Sequence, residues 1–263
     1  MLENNNDTCC QIFGKEFQRS KFSLYHEERG VFCRSQWQQG DRSILWLIYR
    51  WLFAAFFGIS MIMSVVETFY GGRWFIYLTD WGFTLCSYTA IYGAVITTIY
   101  YFRPFYFASN SWALKIYWAS HFTSTVLALM ITLVFWSAVY PSLPDDMGDD
   151  VYSFLEHAAN SVCMLLDLFM VAYPTRLMHF IFPVIVLTIY CLFSLIYYCA
   201  GGTDILGNHF IYEILDWEKP GLAIGSICGC LLLVICLSTL VFWLYRFRLW
   251  MHKRCVKPKM EMR

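Results

Sequence analysis

The sequence predicts an all-α fold, a bundle of six transmembrane helices with both termini in the cytoplasm. Three observations carry that expectation. The chain of 263 residues is 59% hydrophobic and only 14% charged, whereas a soluble domain is about 45–50% apolar and about 25% charged. Charge is absent between Asp80 and Arg103, Lys115 and Asp145, Arg176 and Asp204, and Lys219 and Arg246. Each of these stretches meets or exceeds the roughly 20 residues that cross a bilayer core as a helix. Both ends of the chain are basic, and basic segments stay on the cytoplasmic side.

Residues 1–43 read as a polar N-terminal tail carrying Lys15, Arg19, Lys21, Arg29, Arg34 and Arg42. The tail lacks the apolar stretch of a signal peptide, so the first span is expected to direct insertion. The membrane domain is expected over 44–246, with spans at about 44–66, 81–102, 114–140, 151–172, 180–200 and 220–245 from the bilayer length rule. The first span is interrupted by Arg50, about two turns in, which can snorkel to the inner interface. The fourth contains Glu156, His157 and Asp167, and parity decides it. Residues 247–263 form a second basic tail, with Arg248, Lys253, Arg254, Lys257, Lys259 and Arg263 next to Arg246. Two cytoplasmic tails require an even number of crossings. The connections agree, since Arg103, Lys115 and Arg176 fall inside, while outside only Arg73 and Lys219 stand against Glu67, Asp80, Asp145, Asp146, Asp149, Asp150, Asp204, Glu213, Asp216 and Glu218. The 11 cysteines avoid these outer loops, so no disulfide framework is expected.

Candidate functional residues concentrate in the fourth span. Glu156, Asn160 and Asp167 recur at spacings of four and seven and share one helix side, with His157 beside them. Carboxylates in hydrocarbon are costly and face the protein interior or water. Two readings stay open: a polar pocket entered from the outer side, or an interhelical clamp in which Asp167 meets Arg50 or His121. His121, near the hydroxyls of Thr123, Ser124 and Thr125, reads as helix–helix glue more readily than as a ligand or base. No zinc-type His-x-x-x-His pair and no EF-hand order is present. No metal or other cofactor is therefore expected, and the acidic run at 145–150 reads as a solvated loop. Gly221, Gly225 and Gly229 mark one face of the last span, suited to close packing inside the bundle or to a homodimer seam. Gly71 and Gly72 mark a turn, after which Thr79 reads as an interfacial helix cap. Threonine becomes a nucleophile only where a base activates it.

The strings GGRWFIYLTDWG, FASNSWALKIYW, HAANSVCMLLDLF, YPTRLMH and GGTDILGNHFIYEILDWEKP, with SQW at Ser35 to Trp37 and YRW at Tyr49 to Trp51, resemble the rolling stone family of insects. The resemblance covers nearly the whole chain. It implies a multipass protein of the plasma membrane, rather than the endoplasmic reticulum, that acts in myoblast fusion during muscle development. The partners expected from composition and from the glycine face are the lipid bilayer and a homodimer mate or another membrane protein, with no nucleic acid. That family is in turn distantly similar to the androgen-induced membrane hydrolases, which cleave fatty-acid esters of hydroxy fatty acids with a threonine nucleophile and a histidine base. Their threonine motif falls here on Gly71, Gly72, Trp74, Leu78 and Thr79. Of their two histidines spaced by three, the first falls on His157. The second, catalytic position holds Asn160, and neutral asparagine cannot act as a general base. His157 lies about 60° around the helix from that position and is the remaining candidate base, with Glu156 to orient it. The implied protein is a fusion factor on a hydrolase-like scaffold with a dead or altered site. The alternative is an ester hydrolase using Thr79 and His157.

Overall fold

A computed structural model describes residues 8–108, 111–143 and 151–255. The described residues are helical and contain no strand, only an isolated antiparallel bridge between Ser35 and Val171. The helices are α1 (Cys9–Glu16), α2 (Ile44–Thr68), α3 (Leu78–Phe102), α4 (Trp112–Val134), α5 (Val151–Phe154), α6 (Asn160–Met170), α7 (Ile181–Cys199) and α8 (Pro220–Cys255). A π-helical turn, Phe135–Val139, prolongs α4, and a second, Leu155–Ala159, joins α5 to α6. The acidic run at 145–150 lies outside the described residues.

Among the described residues, five segments are long and apolar enough to cross a membrane: Ile44–Thr68, Leu78–Phe102, Trp112–Ser142, Leu177–Cys199 and Pro220–Cys255. The stretch 151–170 is helical but is not one of them. Glu156, His157, Asn160 and Asp167 interrupt its apolar surface. The chain nevertheless runs up and down in turn. One end of the bundle gathers the N-terminal segment and the close of α8, and is called the tail end here. The opposite end carries the start of α3 and the loop between α7 and α8.

α4 is the central helix and packs against α3, α6, α7 and α8. Its Phe122, Val126, Leu127 and Met130 are buried with Leu168, Leu187, Val234 and Val241 from the surrounding helices. Lipid tails are as apolar as these side chains, so close packing and polar contacts, rather than removal from water, hold such helices together. Gly93 shows how tight the fit is. A Cβ there would collide with the Arg50 guanidinium and come within 2.9 Å of the Tyr117 ring.

Two expectations are corrected. Gly221, Gly225 and Gly229 do not pack inside the bundle, because a Cβ on any of them would meet nothing within 4 Å. The inward face of α8 is formed instead by Ala223, Val234, Leu237 and Val241. The described residues before 44 are also no free tail. Phe32 and Cys33 join a core cluster with Trp46, Trp118 and Tyr173. Ser35 Oγ donates to the Met170 carbonyl at 2.9 Å and Trp37 Nε1 to that of Phe169 at 2.8 Å. Those bonds satisfy carbonyls at the end of α6, which have no partner within their own helix.

Candidate functional site

Two polar clusters lie inside the bundle, one near each end. At the tail end, Asp167 on α6 is fully buried and so is Arg50 on α2. Arg50 Nη1 donates to both carboxylate oxygens, at 2.7 and 2.9 Å. Tyr49 Oη donates to Oδ1 at 3.0 Å, and His121 Nε2 on α4 lies 3.0 Å from Oδ2. Arg50 Nη2 also donates to the Tyr117 hydroxyl. Three helices are thus tied by one carboxylate. Arg50 does not snorkel, because Asp167 supplies in the interior the counter-charge that water would otherwise provide. Arg248, expected in a basic cytoplasmic tail, is likewise fully buried. It donates to the carbonyls of Leu168 at 2.6 Å and Tyr173 at 2.8 Å.

The opposite end holds a cavity of about 320 Å³. It owes its floor to the turn before α3. Gly71 and Gly72 adopt φ of 66° and 95°, a region that costs glycine little. The chain reverses there, and buried Trp74 donates through Nε1 to Ser64 Oγ at 3.0 Å. α3 then starts at Leu78, so Thr79 and Asp80 occupy its first turn and line the cavity. Glu156 and His157 enter from the π-helical turn. Ser64 Oγ donates to Glu156 Oε1. The His157 ring lies flat on Phe135, with centroids 3.4 Å apart and an interplanar angle of 4°, so the two π-helical turns face each other. Its Nδ1 has no hydrogen-bond partner among the described residues. The loop before α8 covers the cavity and is stiffened by Asp204, which accepts from Leu206 N at 2.9 Å, Asn208 N at 2.7 Å and Asn208 Nδ2 at 2.9 Å. Tyr212 of that loop is hydrogen-bonded to Thr79, and burial holds its phenol above the usual value.

A smaller groove of about 70 Å³ adjoins this cavity and shares Thr79, Phe135, Val139 and Tyr212 with it. Its other walls come from apolar side chains such as Met130, Ile131, Leu187 and Ile227. The arrangement sets a polar chamber with a hydroxyl, an imidazole and carboxylates above an apolar slot. Chemically this suits an amphiphile, with its head among the polar groups and hydrocarbon below.

The residues singled out by spacing are therefore divided. Thr79, Glu156 and His157 share the cavity, whereas Arg50, His121 and Asp167 form the tail-end clamp. Asn160 belongs to neither. It is buried, its Nδ2 donates to the Glu156 carbonyl at 2.9 Å, and it does not line the cavity. Glu156 is engaged with Ser64 on α2, and neighbours in sequence on a helix do not face each other, so the geometry does not make it the orienting group of His157. Asp80, Tyr212, Ser64 and Arg248 were not legible as site residues. Asp80 at a helix start has the look of an ordinary dipole partner, and no spacing relates Tyr212 to Thr79.

Comparison with known proteins covers the same length of chain. The family model described as "Protein rolling stone" matches residues 4–258. The Protein rolling stone of Drosophila melanogaster is 36% identical over 252 residues, covering 92% of each chain. No solved structure matches.

Proposed function

Because the chain belongs to the rolling stone family, we propose that it acts in cell–cell fusion of myoblasts during muscle development, at the plasma membrane, with its cavity as a lipid-binding site. The observation that carries the reading is the end-to-end match to a rolling stone protein over 92% of both chains. The cavity opens, in this proposal, on the outer side. The chain crosses six times with both termini cytoplasmic, the 151–170 helix being the sixth crossing. Packing of α6 against α4 and α8 supports that crossing, and the Asp167 clamp supplies the partners its charge needs in hydrocarbon. Deleting the protein from myoblasts is expected to stop fusion, and a Thr79→Ala protein to restore it. Failure of Thr79→Ala to restore fusion would tie the role to chemistry at that hydroxyl.

A second reading has one observation in its favour, the joint placement of Thr79 and His157 on one cavity beside an apolar groove. It makes the protein an ester hydrolase with Thr79 as nucleophile and His157 as base. The natural protein purified in detergent would then hydrolyse a fatty-acid ester lipid, and both Thr79→Ala and His157→Ala would abolish turnover. Asn160→His is not expected to create or raise activity, since Asn160 is buried and does not line the cavity.

A further inference from the structure

The charge of the cavity selects among lipids. Asp80, Glu156, Asp204 and Glu213 line it, and among its described lining residues there is no lysine or arginine. Asp204 is saturated by three N–H donors, and Glu156 is held by Ser64. Asp80 is different. It is 5% exposed, lines the cavity, and no hydrogen bond or ion pair ties it down among the described residues. It caps no backbone group either, since the cap of α3 is Tyr77 without a side-chain bond. A buried carboxylate without a partner is costly, and a cationic ligand would remove that cost. Tyr70, Tyr77, Phe210 and Tyr212 supply aromatic rings around the same space, and ring faces attract ammonium groups.

We propose that the cavity binds the ammonium head of a single-chain amphiphile against Asp80 and the surrounding tyrosines, with the hydrocarbon tail in the adjoining apolar groove. The inference rests on the lipid-binding reading above and adds the class of headgroup. Anionic amphiphiles such as free fatty acids are disfavoured, because no lysine or arginine among the described lining residues could take their charge.

The test keeps one chain and varies the head: oleylamine, oleyl alcohol and oleic acid, added to the full-length protein in nanodiscs of neutral phospholipid, with affinity read from thermal unfolding and tryptophan fluorescence. Oleylamine is expected to bind at least tenfold more tightly than oleic acid. Asp80→Asn is expected to reduce that preference at least tenfold while leaving oleyl alcohol unchanged. Should Asp80→Asn fail to fold, competition on the natural protein replaces it: tetramethylammonium displaces oleylamine and does not displace oleyl alcohol. Equal binding of all three amphiphiles would overturn the ammonium assignment and leave the lipid site standing. A preference that survives Asp80→Asn, or absence of displacement, would overturn it as well. No binding by any of the three would remove the lipid-binding reading itself.

Discussion

Asp167 is the residue on which most of the tail end depends. Its carboxylate receives Arg50 and Tyr49 and lies beside His121, so neither half of the ion pair can be removed alone without stranding the other in a dry interior. Breaking a buried pair costs about 3–5 kcal/mol. Asp167→Ala and Arg50→Ala are both expected to lower thermal stability by that order, measured by unfolding in detergent micelles. Arg50→Lys is expected to rescue only part of it, because an ammonium lacks the fork that spans two carboxylate oxygens and a phenol. Among the glycines the structure separates two kinds. Gly93→Ala is expected to destabilise strongly, since the obstructing Arg50 guanidinium is held by Asp167 and cannot swing away. Gly225→Ala meets no neighbour and is expected to be neutral or slightly stabilising, alanine being the better helix former by about 1 kcal/mol. A large loss of stability in Gly225→Ala would mean that this face of α8 is covered.

Among the elements, the π-helical turn Leu155–Ala159 decides which side chains reach the cavity. A π turn carries one residue more than an α turn, so the helix before it is rotated relative to the helix after it. That rotation lets Glu156 and His157 face the cavity while Asn160 faces the core. Deleting Ala158 would restore an α-helical phase. The expected outcome is a folded protein with the Asp167 clamp intact, in which lipid no longer raises the unfolding temperature. The N-terminal segment is the other informative element. His26 is half-buried, with its ring edge-on to Phe32 at 5.8 Å and to Trp118 at 6.3 Å, and burial lowers its pKa. The docked segment therefore takes a proton less readily than the free one. Its packing is favoured above the ordinary histidine value of about 6.5 and is lost progressively as the pH falls below it. Hydrogen exchange over residues 24–33 is expected to quicken between pH 7 and 5, and His26→Gln to flatten that dependence.

For the whole molecule the decisive quantity is the number of crossings. A six-crossing chain puts Ser142 outside and both Ser111 and Cys255 inside. With Cys199 changed to Ser, a membrane-impermeant maleimide on intact cells is expected to label Ser142→Cys, and to reach Ser111→Cys and Cys255 only after permeabilisation. Labelling of Cys255 on intact cells would mean that 151–170 does not cross, because α7 and α8 would then be inverted.

Composition and the placement of charge sufficed for the all-α class and for five helices long and apolar enough to cross a membrane, since a charge-free run of bilayer length has few other stable forms. The recurring motifs likewise sufficed for the family. The same linear spacing put Glu156, Asn160 and Asp167 on one stripe, and only the tertiary structure divided them between a cavity, a core and an ion pair. The reason is physical. Helical spacing assumes a constant turn, and a π turn sustained by packing against the facing turn of α4 resets the phase in a way that no local residue pattern records. Arg248 teaches the same point from the other direction. Its charge looks like part of a basic cytoplasmic tail until α8 packs on α6, where two backbone carbonyls take the place of water.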